Sequence, residues 1–361
     1  MSAQASTSRA ILSVLRSNRP ALAGAVILIA LCGLAVLAPF VAPYPPERQE
    51  RGSFFCPPVR LHFVDKEGRF HVRPFVYSYV PSDTLKVSYV ESEERTFPVR
   101  YFVKGEPYRL FGIIRSTRHL FGVDAHARIF LLGTDQLGRD LFSRLLYGGR
   151  ASLTIGVIGV ALSFALGILV GSVSGYLGGV VDVLSMRVTE IVMSLPVLYL
   201  ILAARAAFPL NLSPQVNYLL IVLILGLVGW APLARIVRGM VMSARESDYV
   251  RAAVAVGASP ARVLSVHILP NISSFLVVAA TLAVPGYILA EVALSFLGFG
   301  IQEPAPSWGN MLRAAQSTRV LASFPWVVSP GVAVFLAIMA LNLVGDAVRD
   351  ALDPRRVNQS R

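Results

Sequence analysis

Residues Arg235–Asn271 read RIVRGMVMSARESDYVRAAVAVGASPARVLSVHILPN. They join two apolar stretches, Tyr218–Val237 and Ile272–Leu297, each of membrane-crossing length. The joining segment is basic, rich in small residues and broken once, at Gly257-Ala258-Ser259-Pro260. Glu246 and Asp248 suit the start of a helix running to about Val256, because carboxylates oppose the positive end of the helix dipole. Ala252, Ala253 and Ala255 let another backbone come close, while Tyr249 and Val250 supply apolar contact. Gly257 suits the left-handed residue that follows many helix ends. Ser259 is a good N-cap and Pro260 a good first residue for a second helix, which carries Arg262, Val263, Leu264 and Val266 to Leu269-Pro270. The pattern predicts two short helices joined by a fixed turn. Two readings fit it: a docking element that passes a push from a soluble partner into both flanking spans, or a surface helix pair with no partner.

Working outward, 55% of the chain is apolar and only 15% is charged. Six stretches are long enough for a hydrocarbon core of about 30 Å: Ala21–Val41, Leu153–Tyr176, Arg187–Phe208, Tyr218–Val237, Ile272–Leu297 and Trp326–Val344. With the N-terminus inside, the inner segments hold Arg9, Arg16, Arg19, Arg187, Arg235, Arg238, Arg245, Arg251, Arg262, Arg349, Arg355 and Arg356. The short outer connections hold only Arg205, Arg313 and Arg319. That asymmetry places both termini in the cytoplasm. The net charge of +12 is therefore a topology signal, and no basic run interleaved with aromatics points to nucleic acid. The first span reads as a retained anchor, since its apolar run exceeds a signal-peptide core and Pro43 follows the small-residue site. Cys32 lies in that span and Cys56 beyond it, so no disulfide framework is expected.

Residues 45–130 differ in composition and hold all the lysines, Lys66, Lys86 and Lys104. Apolar and polar residues alternate over Arg60–Val64, Phe70–Val76, Thr84–Val90 and Thr96–Val103, with Asp65-Lys66-Glu67-Gly68 as a hairpin turn. In Gly133–Arg150, Asp135 can cap a helix with Leu137, Leu141, Leu145 and Leu146 on one face and Arg139, Asp140 and Arg144 on another. The expected fold is an all-α polytopic membrane protein of six transmembrane helices with a small β-rich extracytoplasmic insertion. Its plan is a cytoplasmic lead and first helix (1–44), the insertion (45–130), an interfacial amphipathic helix (131–150), a five-helix core (151–347) containing a cytoplasmic loop (238–270), and a cytoplasmic tail (348–361).

The loop resembles the EAA loop of importer-type ABC permeases: Glu-Ala-Ala, three residues, Gly, nine residues, an apolar residue, one more, then Leu-Pro. Ala252, Ala253, Gly257, Leu269 and Pro270 match, and Arg251 stands where Glu is usual. GTDQLGRDLFSRLLYGGRASL, GGVVDVLSMRVTEIVMSLP, AEVALSFLGFGIQEPAPSWGNML and NLVGDAVRDALDPR extend the likeness. Over Ala21–Tyr44 and Leu131–Arg356 the chain is similar to the second permease of dipeptide, oligopeptide and nickel importers. The resemblance implies the type I importer permease fold in a bacterial inner membrane. It implies a pore shared with a second permease, two ABC ATPase domains that hold ATP and Mg²⁺, and an extracytoplasmic solute-binding protein. On that reading the coupling contact falls on Glu246, Tyr249, Arg251, Ala252, Ala253, Gly257, Ala258, Ser259 and Pro260.

The chain has no Gly-Lys pair for a phosphate-binding loop, and neither H-E-x-x-H nor G-x-S-x-G occurs, so it is not expected to be an enzyme or to bind a cofactor itself. Among intramembrane charges, Glu291 is the deepest; it either faces the pathway or pairs with another helix. Asp182 and Glu190 read as interfacial, and Asp346 with Arg349 as a local pair. His119 and His126 allow a metal site, but solvated loop histidines are the better reading of the pair. Two rivals stay open: an ion-coupled secondary transporter or channel, which needs its own ion site and usually internal repeats, and a membrane anchor for the β domain.

Overall fold

A computed structural model of the chain describes residues 18–83, 88–124, 127–209 and 212–352. Arg9, Arg16, His126, Arg355 and Arg356 lie outside the described residues. Among the described residues, five helical stretches are long and apolar enough to cross a membrane, and a bent helix pair makes a sixth if it is counted as one span. The helices are α1 (Arg19–Val36), α2 (Ala38–Val41), α3 (Leu141–Leu177), α4 (Gly179–Ser194), α5 (Val197–Ala206), α6 (Pro214–Arg245), α7 (Asp248–Ala255), α8 (Pro260–Arg262), α9 (Leu269–Phe296), α10 (Trp308–Met311), α11 (Thr318–Ser323) and α12 (Ser329–Leu352). A π-helical turn, Val263–Ile268, joins α8 to α9 without a break.

Two expectations change. The single span Arg187–Phe208 is instead α4 and α5, bent by 91°. Pro196 causes the break, because its ring pushes the preceding residue out of helical geometry; Leu195 is extended at φ −89°, ψ 135°. The amphipathic helix and the second span are one helix, α3, of 37 residues or about 55 Å. Asp135 does not cap it. Asp140 does, its Oδ2 accepting from the Ser143 backbone N–H at 2.8 Å and from Ser143 Oγ at 2.5 Å. Asp135 instead closes the preceding turn by accepting from the N–H groups of Leu137 and Arg139.

The chain folds as two units. One comprises residues 29–153 and 292–336. It contains a three-stranded antiparallel sheet, β1 (His62–Val64), β2 (Phe70–Asp83) and β3 (Ser88–Pro98), and a separate hairpin, β4 (Arg100–Leu110) with β5 (Ile114–Gly122). The Asp65–Gly68 turn forms as expected, with Gly68 at φ +80° and Gly68 N–H donating to the Asp65 carbonyl. The alternating run Thr96–Val103 is cut at Val99, which leaves the sheet and is buried with Cys56, Val76, Ile129 and Phe130.

Charge holds this unit together. Arg139 and Arg144 are 4% and 1% exposed. Arg139 donates to Asp135 Oδ2 at 2.7 Å and through both terminal nitrogens to Glu303. Arg144 donates to both Glu303 oxygens at 3.1 Å and to the Pro46 carbonyl. Burial pushes the Glu303 carboxyl up, but the two guanidinium groups outweigh it and hold it below the usual carboxylate range.

The other unit is made up of the described residues within 1–28, 154–291 and 337–361. Here Gly167, Gly171 and Gly175 fall one turn apart on α3 and face α6. A Cβ at Gly167 would meet the Trp230 carbonyl, at Gly171 that of Ala234, and at Gly175 that of Arg238. Small residues at this spacing let two helix backbones touch. Below the stripe, Ser174 Oγ donates to Asp182 at 2.5 Å, and Arg238 grips the same carboxylate, so α3, α4 and α6 share one polar junction.

Replacing Gly171 with Leu is expected to cost about 1–3 kcal/mol by overpacking. Gly239→Leu on α6, where a Cβ meets nothing within 4 Å, is the comparison; equal thermal midpoints for the two variants in detergent would contradict the close contact. Glu303→Gln removes the carboxylate that two buried arginines share, leaving Asp135 as their remaining acid. Because Glu303 is part-exposed, its side chain 41% accessible, the loss is about 1–3 kcal/mol rather than the full buried-pair value. The folded carboxyl is depressed, so its stabilisation is present above the unfolded value of about 4.3 and fades as pH falls through the lower folded value. Unfolding midpoints of wild type and variant should therefore converge on acidification.

Candidate functional site

The segment between α6 and α9 is built by its caps. Helix α6 ends at Arg245, and Ser247 turns the chain by donating its hydroxyl to the Ala244 carbonyl. Ser247 is also the extended N-cap residue of α7, although its side chain makes no capping bond there. The α7 terminus closes as a paired-bond turn: Ala258 N–H donates to Ala253 O at 3.0 Å and Gly257 N–H to Val254 O at 2.9 Å. This is the Schellman arrangement, in which the first residue past the helix C-cap is left-handed and is itself one of the two donors. Gly257 is that residue, at φ +88°. Ser259 then caps α8 by accepting from Arg262 N–H, and Pro260 is the first helical residue.

Packing makes the two short helices one body with their neighbours. Val250 is 1% exposed and lies in a cluster with Val237 and Val241 of α6, Val263 and Ile268 of the π turn, and Ile272 of α9. Burying one such side chain stabilises by about 1.5–3 kcal/mol. Ala258 packs against the same cluster. Asn271 Nδ2 donates to the Tyr249 hydroxyl at 3.0 Å, a second tie between α7 and the start of α9. Val250 and Tyr249 thus tie α7 to both α6 and α9.

The outer face is open. Tyr249, Val254 and Val256 are 42%, 50% and 89% exposed. Arg251, Ala252, Gly257, Ser259 and Pro260 are exposed as well, and Ala253 is half-buried. A groove of about 600 Å³ lies beside α7, bounded by Tyr176, Leu177, Arg245, Glu246, Arg251 and Val254 among others. Arg245 donates to the Tyr176 carbonyl at 2.8 Å and so sets one edge of it. Arg251 turns back to Glu246, Nη2 to Oε2 at 2.8 Å. That hydrogen bond and the guanidinium charge hold the Glu246 carboxyl below the usual range.

The predicted loop residues are thus brought together on one element, Glu246 through Pro260. Glu291 is not part of it. It lies 22 residues beyond Leu269 on α9, roughly 33 Å along the helix, and is fully buried, as is Ile288 beside it. Arg205, expected in an outer connection, is 1% exposed and closes the end of α5 by donating to the carbonyls of Phe208 and Pro209 and to Asn217 Oδ1. His119 turns Nδ1 to the Ala42 carbonyl and Nε2 to that of Glu106. The glycine stripe behind the loop escaped the sequence reading, although its spacing of four is a visible helical signal. The Asp182–Arg238 pair has no such signal, since 56 residues separate the partners.

Residues 167–358 match the family described as binding-protein-dependent transport system inner membrane component. Residues 6–58 match the N-terminal transmembrane domain of oligopeptide transport permease C. A putative peptide permease protein of Brucella suis is 42% identical over 224 residues, which are 62% of this chain and 72% of the relative. The di/tripeptide transport system permease protein DppC of Pseudomonas aeruginosa is 42% identical over 230 residues, 63% of this chain and 73% of the relative. The oligopeptide transport system permease protein OppC of Bacillus subtilis is 36% identical over 242 residues, 66% and 77%. With its apolar helices and its capped loop, the chain belongs to the binding-protein-dependent transport system inner membrane component family, as a multi-pass permease subunit of an ABC importer.

Proposed function

We propose that this permease carries peptides, that it forms half of the pore with a second permease, and that α7 with its flanking turns receives the motion of separate ATPase subunits. ATP and Mg²⁺ sit on those subunits, and an extracytoplasmic solute-binding protein delivers the cargo. The loop and both termini face the cytoplasm of a bacterial cell, and the β-rich insertion lies on the outer side of the inner membrane. The observation that carries the coupling role is Val250, buried at once against α6 and α9 while the rest of α7 is left open. The peptide assignment is supported by the names of the relatives, several of which are dipeptide or oligopeptide permeases.

Gly257 tests the coupling role. Its Cβ position is empty of neighbours, so only the backbone angle limits substitution. Gly257→Val forces a β-branched residue to positive φ at a cost of about 1–3 kcal/mol. Uptake of a labelled dipeptide into proteoliposomes should fall about tenfold or more while phosphate release continues. Gly257→Asn, which tolerates the left-handed region, should keep most uptake. Full uptake by the valine variant would remove the loop from the coupling path.

The ion pair gives a separate test. Exposed pairs contribute about 0–1 kcal/mol to stability, so Arg251→Glu should leave the thermal midpoint nearly unchanged. It places a third carboxylate beside Glu246 and Asp248, and co-purification of the ATPase should drop several-fold, most clearly at low salt. Unaltered ATPase recovery at every salt concentration would show that position 251 does not face the partner.

A further inference from the structure

The β4–β5 hairpin ends in Leu110-Phe111-Gly112-Ile113-Ile114. Its tip is a tight turn in which Ile113 N–H donates to the Leu110 carbonyl and both Phe111 and Gly112 take positive φ, +53° and +74°. Turns of this kind favour Asn, Asp or Gly at both central positions. A phenylalanine there is a local misfit that folding alone does not select. What it provides is apolar surface. Phe111, Ile113 and Ile114 are 59%, 83% and 57% exposed.

Immediately behind the tip the chemistry reverses. Arg109 and Arg115 are directly opposite each other across the two strands. Like charges in that register repel. No Asp or Glu occurs anywhere in residues 107–123 to relieve them. The two guanidinium groups border a concavity of about 720 Å³ with Pro107, Tyr108, Ser116 and Thr117. An anion seated there turns the repulsion into shared attraction, and the neighbouring hydroxyls add donors.

The base of the hairpin is held beside the end of the first apolar helical run. Among the described residues the hairpin has no third strand; its base is supported by α2, where Leu120 packs with Ala38, Val41 and Ala42, and its tip extends beyond that support. Its base is fixed by His119 to the Ala42 carbonyl, at the end of the first apolar helical run. Phe40 and Phe102 meet beside that tie at 6.2 Å between ring centres. Along β5, side chains alternate between faces, so Arg115, Thr117 and His119 share one face. The arginine face is therefore the one that looks toward the membrane end of α2. The tip lies roughly 20 Å farther along the ribbon.

We propose that the β4–β5 hairpin is a lipid anchor: Phe111, Ile113 and Ile114 enter the headgroup–acyl boundary of an anionic leaflet, and Arg109 and Arg115 bind lipid phosphates behind them. Apolar side chains ahead of basic ones are the pattern of segments that lie in such an interface. A protein partner would instead need an acidic apolar groove, and that is one outcome of the test.

The assembled transporter is prepared with Ile113→Cys, or with Val72→Cys as a comparison, since Val72 on β2 is 87% exposed and away from the hairpin. Each is labelled with an environment-sensitive fluorophore and reconstituted into phosphatidylcholine vesicles with or without phosphatidylglycerol. Cys56 is buried, and the unsubstituted protein gives the blank for Cys32. In anionic vesicles, an acyl-chain nitroxide is expected to quench the label at 113 about twofold or more above that at 72, with aqueous iodide showing the reverse. Adding Arg109→Ser and Arg115→Ser, both at exposed positions, should abolish the difference. Equal iodide access at 113 and 72 in both vesicle types overturns the proposal. So does shielding that appears only when a solute-binding protein is added, or shielding that survives the double arginine variant.

Discussion

Close backbone contact between α3 and α6 is the constraint on which the loop between α6 and α9 rests. Within lipid, helices gain nothing by hiding apolar surface from one another, so association depends on packing and on hydrogen bonds. Glycines at 167, 171 and 175 remove side chains along one stripe of α3 and bring it against the α6 carbonyls. That contact continues into Val237 and Val241, the α6 residues that cover Val250. The loop is thus not a flexible tether between spans. It is the exposed end of a packed stack whose depth is fixed by missing methyl groups.

Polar junctions do complementary work at the ends of that stack. Asp182 accepts from Ser174 and from Arg238, which ties α4 to the α3–α6 pair just where α3 ends at Leu177. The paired-bond turn at Gly257 and the Ser259 cap leave few backbone groups of the loop unsatisfied. The π turn at Val263–Ile268 then lets the chain run on through Pro270 into α9 with no loop between. A segment with capped helices and one buried anchor is thereby tied to both flanking helices.

The loop was the most legible part of the chain because its signals are local. Gly257, Ser259 and Pro260 each take the role that their backbone chemistry dictates within a few residues. The strands of the insertion were legible where alternation is clean, as at Phe70–Val76, and β5 was not anticipated. Spans were found by composition, but the bend at Pro196 was not, since apolarity is indifferent to direction and only the proline marks the turn. Asp135 precedes an apolar periodicity and so resembles a helix cap in the sequence. It closes the turn Asp135–Arg139 instead, and Asp140 holds the helix end. Contacts between residues far apart in the chain, such as Arg139 with Glu303, leave no trace in a single sequence.

Arg251 is where sequence pattern and structure must be weighed together. The resemblance leads one to expect a carboxylate at that position, and a reversed charge looks like a lost contact. In the folded loop Glu246 reaches Arg251 at 2.8 Å, so a carboxylate is still present beside it. Both groups are exposed, the side chains of Arg251 and Glu246 being 64% and 62% accessible. A pair that open to water contributes little to stability, and a partner can therefore exchange either member for its own counter-charge at small cost. The loop keeps its ionic capacity in a divided form: an acid at the entry to α7 and a base one turn in. A partner surface of either sign therefore finds a counter-charge on the loop, the base at Arg251 or the acid at Glu246, whereas a lone carboxylate would answer only one.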